Sequence, residues 1–242
     1  MIEILLRDQT TGKNILWANA EFGAKEIQPD DIYLIKPRWE KIREHQKQRT
    51  RDRAEIFTPP EVCKIQNDLI TSDKKSWQDY IDAKYLEITC GEAPYLVNRY
   101  NAVTGEPIPI NQRTGLLDRK LSVVCEKNSS PEGWANWTIR ALKSVYGYEL
   151  QGDSLFLSRR NVFDTVVEYF MEKFPDKSYK LSENFLREVA TIISWNLWQM
   201  DGLTYSPPFT DNANLFGGVN CKIKDWKKDE PFEFVELKGG RR

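Results

Sequence analysis

The sequence predicts an α/β domain built on a mostly parallel sheet. Short apolar runs alternate with longer stretches of helical periodicity, which is the pattern of strands joined by crossover helices. The chain has 242 residues, of which 40% are hydrophobic, so it is long enough to bury one large core. In such sheets ligands bind where loops leave the carboxyl ends of the strands.

Composition narrows the class of protein. A net charge of -1 gives no global attraction to nucleic acid, so DNA contact needs a local basic patch. The 4 cysteines are scattered without a Cys-x-x-Cys pair, and the single histidine, His45, has no partner at ligand spacing, so no metal site is expected. The N-terminal run is unlike a signal peptide, and no segment approaches the roughly 20 apolar residues of a membrane span. We therefore expect a reduced, cytoplasmic protein with no membrane contact.

Residues 1–53 form a predicted N-terminal extension. Its first part holds strand-like patches at 2–5, 15–17 and 32–35, separated by turn residues. Residues 36–53 then form a basic run with few acidic residues between the cations. The ordinary interpretation is a solvated helix with charge pairs four residues apart, and the alternative is contact with phosphates.

The first strand–loop–helix unit follows this extension. Pro59 and Pro60 suit the first turn of a helix that continues as one apolar stripe. The pattern then predicts a strand over 84–89, a glycine turn, a helix over 93–100 and a long loop over 101–118. The stripe residues of the first helix are Val62, Ile65 and Leu69.

Two further units and a last strand complete the prediction. Tryptophans at helical spacing, which we assign to the core, lead into a strand over 144–150. A helix with an apolar face over 155–170 follows, and the next begins near Ser182 and runs into a strand over 195–200. A final strand is predicted over 232–237.

Acidic residues fall at the carboxyl ends of three predicted strands. Glu87 is late in the first strand, Glu149 ends the second, and Asp201 follows the third. A carboxylate after the second strand suits both hydroxyls of a ribose, and one after the third suits an adenine amino group. Gly91 allows close approach of the backbone in the first loop. The pattern indicates a nucleotide-type cofactor.

Four segments in this order resemble the motifs of amino-methyltransferases that modify adenine N6 in DNA. The resemblance is closest to methyltransferases of restriction-modification systems, often described as restriction endonuclease subunit M, and covers residues 36–203. It implies a doubly wound, mostly parallel Rossmann-like sheet of the S-adenosylmethionine-dependent methyltransferase type over residues 54–242. The segments are Ile56-Phe57-Thr58-Pro59, Leu86-Glu87-Ile88-Thr89-Cys90-Gly91, Tyr146-Gly147-Tyr148-Glu149-Leu150 and Asp201-Gly202-Leu203.

The resemblance implies a set of roles. Phe57 and Thr58 would touch the methionine part of S-adenosyl-L-methionine, Glu149 would hold its ribose, and Asp201 would approach its adenine. Double-stranded DNA would be the substrate, and DNA methylation the activity. The residues implied for the main cofactor loop are Glu87, Thr89, Cys90, Gly91 and Glu92.

The sequence departs from the family at the catalytic motif. The usual Asn-Pro-Pro-Tyr is absent, and the look-alike is Ser206-Pro207-Pro208-Phe209, in which serine can accept from an amino group and phenylalanine can stack on a base. It follows Asp201 too soon to traverse a fourth strand, and Pro-Pro is commonly a loop rigidifier. The cofactor loop also has Glu87-Ile88 where Asp-Pro is usual and Ala93 where a second glycine is usual.

Several functions stay open from the sequence. The chain is an active methyltransferase, a cofactor-binding and DNA-binding half completed by a second restriction-modification subunit, a C-terminally truncated and inactive relative, or an inactive DNA-binding accessory subunit that uses residues 36–53. A magnesium-dependent restriction nuclease is a further alternative. It rests on Glu236 and Lys238 with Asp225 or Asp229, although an ordinary charged strand end explains the same residues.

Overall fold

The computed structural model describes residues 1–41, 58–70, 76–210 and 218–237. Three parallel strands form a sheet in the order β1-β2-β3, with β1 at Tyr85–Glu87, β2 at Val145–Glu149 and β3 at Leu197–Gln199. Leu86 lies opposite Tyr146 in the register. The α/β class with a parallel sheet is confirmed, and each strand is shorter than its predicted run.

Helices connect the strands and precede them. Serine side chains cap several of these helices by accepting a backbone N–H three residues on, among them Ser182, which was the predicted start of the last helix. The α-helices of the described residues are α1 Ile2–Leu6, α2 Pro60–Ile70, α3 Trp77–Asp82, α4 Leu116–Lys127, α5 Pro131–Leu142, α6 Gly152–Lys173 and α7 Glu183–Asn196. Short 3-10 helices lie at Pro29–Leu34, Arg38–Glu40, Ile110–Gln112 and Phe234–Leu237.

The sheet is covered on both faces, as a parallel sheet requires. On one face Val145 and Leu197 join a core made by the crossover helices α4 to α7. On the other face an antiparallel hairpin of β4 Lys222–Asp225 and β5 Glu230–Glu233 packs on the sheet. The residues of this second cluster are Tyr146, Tyr148, Trp198, Met200, Cys221, Ile223 and Phe234.

Two local predictions are wrong. Residues 93–100 form turns, because Ala93 has a left-handed backbone with φ 62 that cannot begin a right-handed helix. The predicted strand over 232–237 is the end of β5 followed by a 3-10 helix. Phe234 turns toward the sheet and packs on Trp198 with ring centroids 5.2 Å apart.

The N-terminal residues pack into the same core as the sheet and helices. Patches 2–5 and 32–35, predicted as strands, lie in α1 and in a 3-10 helix. The Gln199 side chain accepts from the Leu16 N–H at 2.7 Å and donates to the Leu16 carbonyl at 2.7 Å, as a neighbouring strand would. The predicted boundary at residue 53 lies outside the described residues.

The long loop before α4 is held in place by ion pairs. Arg99 and Arg113 both bond the Glu168 carboxylate on α6. The loop ends at Leu116, where α4 begins, two residues before the predicted end at 118. In the parts of the chain that the structure describes, no helix combines the length and apolar character needed to cross a membrane.

Candidate functional site

The ends of β1 and β2 meet through the loop that follows β1. The Gly91 N–H donates to Glu149 Oε2 at 2.9 Å, across 58 positions of sequence. The Cys90 N–H donates to the Tyr148 carbonyl at 2.9 Å and extends the pairing of the two strands. The predicted loop and the predicted ribose-binding carboxylate are therefore in contact.

The Glu149 carboxylate organises its own turn as well. Its Oε1 accepts from the N–H groups of Leu150 at 2.8 Å and of Gln151 at 3.0 Å. Backbone donors to a carboxylate fix its orientation. Glu149 thus joins the first loop to the turn that starts α6.

The Glu87 side chain is buried and bonds the turn that follows the loop. Its two carboxylate oxygens accept from the N–H groups of Tyr95 and Leu96, each at 3.2 Å. Burial raises the pKa of Glu87 to about 8, the two amide donors lower it, and the charge of Glu149 raises it. Glu87 therefore stabilises the turn at Tyr95 and Leu96, which follows the loop.

The loop backbone is strained. Thr89, Gly91 and Ala93 have φ values of 48, 54 and 62, all in the left-handed region. For a β-branched residue such as Thr89 this conformation is rare and costs about 1–3 kcal/mol. Strain of this kind persists where surrounding contacts fix the backbone, and it clusters at binding sites.

Cys90 is enclosed between the loop and β2. Its side chain is 1% exposed, and a Cβ on Gly147 would lie 3.2 Å from Cys90 Cβ and 2.9 Å from Leu197 Cδ2. Burial, followed by the charges of Glu87 and Glu149, raises the pKa of Cys90 well above its ordinary value. A thiolate nucleophile is disfavoured here.

Glu92 clamps the loop to the N-terminal segment. Its Oε1 accepts from the Arg38 N–H at 2.8 Å, and its other oxygen accepts from the Tyr100 hydroxyl. The Glu92 carbonyl also accepts from Asn161 Nδ2 at 3.0 Å. Glu92 therefore joins the loop to the N-terminal segment and to α6. Its position in the loop motif did not predict this structural role.

Thr58 lies beside the same loop, and Phe57 lies outside the described residues. A side-chain hydrogen bond from Thr58 lowers the pKa of Tyr95, although burial raises it overall. On α2, Asn67 Nδ2 donates to the Tyr95 carbonyl at 3.0 Å. The start of α2 and the cofactor-like loop are thus neighbours.

Asp201 follows the third strand in a tight turn. The Met200 N–H donates to the Glu149 carbonyl at 3.0 Å, so the ends of β2 and β3 lie side by side. Asp201 Oδ1 accepts from the Leu203 N–H at 2.8 Å, and the Asp201 carbonyl accepts from the Tyr205 N–H at 2.8 Å. The carboxylate stabilises this turn.

The Ser206–Phe209 segment lies beside the end of β3, since the Ser206 carbonyl accepts from the Asp201 N–H at 2.9 Å. The Ser206 side chain is 3% exposed, and its hydroxyl shares a hydrogen bond of 2.7 Å with the Thr204 hydroxyl. Phe209 is 57% exposed with φ 59. Tyr205, next in the turn, packs on Phe234 at 6.0 Å between ring centroids, on the hairpin side of the sheet.

The N-terminal segment crosses the carboxyl edge of the whole sheet. It contacts the end of β3 through Leu16, and the turn after β2 through Trp17, whose carbonyl accepts from the Gly152 N–H at 3.0 Å. Lys41 Nζ then reaches Asp153 Oδ2 at 3.1 Å in a largely buried ion pair. Lys41 was expected only as part of the basic run at 36–53, and its contact with Asp153 was not predicted.

The nuclease residues are not arranged as predicted. Glu236 lies in the 3-10 helix after β5, where it accepts from the Glu233 N–H at 3.2 Å, and Lys238 lies outside the described residues. Asp229 pairs with Lys224 at 2.7 Å. Among the described side chains, no group of three or more could hold a metal ion.

In comparisons with known proteins, the chain matches no protein-family model, no curated protein and no solved structure.

Proposed function

We propose that this chain is the S-adenosylmethionine-binding and DNA-contacting subunit of a DNA adenine N6 methyltransferase of the restriction-modification type. The observation that carries the proposal is the hydrogen bond between the Gly91 N–H and Glu149 Oε2. It joins a strained, glycine-containing loop after one parallel strand to a carboxylate at the end of the next. In open α/β sheets this is the place where nucleotide cofactors bind.

A buried acceptor beside Glu149 supports a polar ligand. Gln151 is 5% exposed, and its Oε1 makes no hydrogen bond with any described residue. A buried polar atom without a partner is costly, so a native site that retains one commonly has a ligand or water for it. The donors that a nucleoside offers are hydroxyl and amino groups, which suit Gln151 and Glu149.

The same contacts define how binding would proceed. Glu149 Oε2 already accepts from Gly91, so a ribose hydroxyl would compete with that amide for the carboxylate. Release of Gly91 would free a backbone N–H at the base of the strained loop. Bound S-adenosylmethionine would supply the methyl group, while Glu149 and Gln151 would hold its nucleoside.

The sheet is consistent with half of a doubly wound fold. Three parallel strands in sequential order, with crossover helices on one face, correspond to one of the two halves from which such sheets are built. The DNA and adenine assignments rest on the resemblance of the four motifs. The burial of Ser206 and its bond to Thr204 favour a cofactor-binding subunit over a self-sufficient enzyme.

Calorimetry with S-adenosylmethionine tests the proposal. The wild type is expected to bind, and Gln151→Leu is expected to weaken binding about tenfold or more, because a buried hydrogen bond contributes roughly 1.5 kcal/mol. Glu149→Gln is expected to weaken it at least as much. The proposed site is wrong if the wild type does not bind S-adenosylmethionine. It is also wrong if the wild type binds and these substitutions do not weaken the binding.

A matched control separates the site from general charge effects. Glu126 lies on α4, and its side chain is 68% exposed. Glu126→Gln removes the same charge as Glu149→Gln and is expected to leave the affinity unchanged. Thermal unfolding of each variant shows whether a loss of binding reflects a loss of fold, and Gln151→Leu removes no Oε1 hydrogen bond to a described residue.

The accessory DNA-binding function is the second candidate, favoured by the enclosure of Ser206. It predicts DNA binding that weakens with salt and no affinity for S-adenosylmethionine. The calorimetric measurement therefore distinguishes the two functions.

A further inference from the structure

The end of the N-terminal segment bridges the two elements that meet at the candidate site. We call residues 36–41 the strap. The Arg38 N–H donates to Glu92 Oε1 at 2.8 Å, in the loop that follows β1. Three residues later, Lys41 Nζ lies 3.1 Å from Asp153 Oδ2, in the first turn of α6. The strap is therefore anchored both to the loop and to the start of this helix.

The strap is the outer layer at this place. None of its residues is buried, whereas the side chains that anchor it, Glu92 and Asp153, are 3% and 4% exposed. Glu149 and Gln151, which precede Asp153 in the same turn, are 8% and 5% exposed. An exposed segment thus bonds to buried side chains beside the groups that we assign to the ligand.

Few apolar contacts hold the strap. Its largest apolar side chain, Trp39, is 39% exposed and packs on Gly105, where a Cβ would lie 2.5 Å from the indole ring. The earlier part of the N-terminal segment is different, because Ile15 and Trp17 are 0% and 2% exposed and belong to the main core. Segments with few buried apolar contacts open at a lower free energy than the core does. The strap can therefore detach while residues 15–17 stay in place.

A ligand can reach the buried acceptor beneath only if part of the chain moves. Gln151 Oε1 is buried and makes no hydrogen bond with a described residue. The ion pair of Lys41 with Asp153 lies two residues further along the chain from Gln151. Of the described segments that pack at this turn, the strap is the one with the weakest packing.

We propose that the strap is a lid on the candidate site, that the ion pair between Lys41 and Asp153 holds it closed, and that it opens when a ligand enters or leaves. The two side chains of the pair are 13% and 5% exposed, and breaking an ion pair that is this buried is strongly unfavourable. The identity of the ligand, S-adenosylmethionine, rests on the proposed function. The opening itself is a property of the chain alone.

Hydrogen exchange of the ligand-free protein, followed by NMR, tests the lid. The Arg38 amide reports closure of the strap, and the Gly91 amide reports access to the site. Lys41→Met keeps the apolar stem and removes the charge, and it is expected to speed exchange of both amides at least tenfold. The Gly152 amide, which donates to the Trp17 carbonyl, belongs to the part that stays and is expected to keep its rate.

A second variant loosens the strap at another contact. Trp39→Ala removes the packing on Gly105 without changing a charge or the start of α6, and it is expected to speed the same two amides. The matched control is Lys25→Met. It removes a charge from the same N-terminal segment, but the Lys25 side chain is 54% exposed in its pair with Asp31, so the rates are expected to stay unchanged.

The lid requires both amides to respond to both variants, and any smaller response overturns it. A response of the Arg38 amide alone would mean that the strap opens without covering the site. A response to Lys41→Met alone would mean that the ion pair supports the start of α6 and closes nothing. An equal response to Lys25→Met would assign the effect to general charge.

Binding kinetics separate the lid from the proposed function. Surface plasmon resonance with S-adenosylmethionine is expected to give association and dissociation rates at least tenfold higher for Lys41→Met than for the wild type, because the ligand passes the lid in both directions. If both amides respond and the wild type binds no S-adenosylmethionine, the lid stands and the proposed function falls. If the wild type binds and Lys41→Met leaves the amides or the binding rates unchanged, the lid falls and the proposed function stands.

Discussion

Glu87 and Glu149 stand at equivalent ends of neighbouring strands and are treated differently by the protein. Both are 8% exposed, but Glu149 bonds the Gly91 amide, whereas Glu87 bonds the amides of Tyr95 and Leu96. The raised pKa of Glu87 reflects the fact that burial destabilises the charged form of its carboxylate. Glu149 therefore joins the loop to the turn before α6, and Glu87 supports the turn at Tyr95 and Leu96.

Glu87 is expected to make stability depend on pH. Its pKa rises from 4.5 to about 8 in the folded protein, so the folded state binds the proton more tightly than the unfolded state. Its contribution to the free energy of unfolding is therefore fully present below pH 4.5 and is lost as pH rises through about 8. The loss amounts to several kcal/mol at most, since one pKa unit corresponds to about 1.4 kcal/mol.

Urea unfolding of Glu87→Gln at several pH values between 5 and 8.5 checks this expectation. The variant cannot ionise at this position, so its stability should decline less over that range than the stability of the wild type. Glu126→Gln, at an exposed position, should keep the wild-type dependence. Identical pH dependence in Glu87→Gln and wild type would contradict the assignment.

The sequence indicated which residues meet at the site but not how they bond. Placement of Glu87 and Glu149 at strand ends was predictable, because the carboxyl ends of parallel strands share one edge. The pairing of Glu92 with Arg38 was not, since it depends on the path of a distant N-terminal segment. Short-range patterns hold no information about that path.

At the scale of elements, one buried arginine joins three of them. Arg159 on α6 is 0% exposed, and its guanidinium donates to the carbonyls of Leu5 at 2.7 Å, Arg7 at 2.9 Å, Ser194 at 3.2 Å and Leu197 at 2.8 Å. Burial lowers its pKa to about 10, which leaves it charged at neutral pH. It ties the end of α1 to α7 and β3.

Loss of this guanidinium should destabilise the protein strongly. Arg159→Met keeps the apolar stem but leaves four carbonyls, three of them on buried residues, without their donor, and we expect a loss of about 3 kcal/mol or more in the free energy of unfolding. The control is Arg160→Met, since the Arg160 side chain is 54% exposed and surface ion pairs contribute about 0–1 kcal/mol. Similar urea midpoints for the two variants would refute the role of Arg159.

Periodicity predicted the helices well where apolar residues recur along one face. The helices that became α2, α6 and α7 were anticipated within a few residues, and Ser182 was identified as the start of the last. Helix α4 was missed, because its buried face includes Asp118 and Lys120, which break the apolar pattern. The stripe on α2 was found, yet its exposure was not foreseeable, because periodicity shows an apolar face without showing what it contacts.

At the scale of the molecule, the basic run at 36–53 is the part of the sequence that bears on DNA. Most of it lies outside the described residues, so its function is a prediction from charge alone. If it contacts phosphates, each contact contributes about 0.9 to the slope of log K against log salt concentration. An overall charge of -1 gives no such slope by itself.

The double substitution of Arg49→Gln and Arg51→Gln is expected to weaken binding to a DNA duplex. It should also reduce the slope of log K against log salt concentration by up to about 2, because two phosphate contacts contribute about 0.9 each. The matched control is Lys177→Gln with Lys180→Gln, which removes the same charge at exposed positions. Equal slopes for both double variants would exclude a specific role for the basic run. The fluorescence anisotropy of a labelled duplex, titrated at several salt concentrations, provides the measurement.

The hydrogen bonds between Leu16 and Gln199 affect the order in which the chain can fold during its synthesis. These residues are 183 positions apart. At about 5–20 residues per second, a ribosome needs roughly ten to forty seconds to reach Gln199 after Leu16 has been translated. Until then the Leu16 N–H lacks this acceptor, although the N–H groups of Ile15 and Trp17 beside it can bond the carbonyls of Leu6 and Lys25 within the N-terminal segment. The N-terminal segment is synthesised first, and it can take its place across the sheet only after the third strand has emerged.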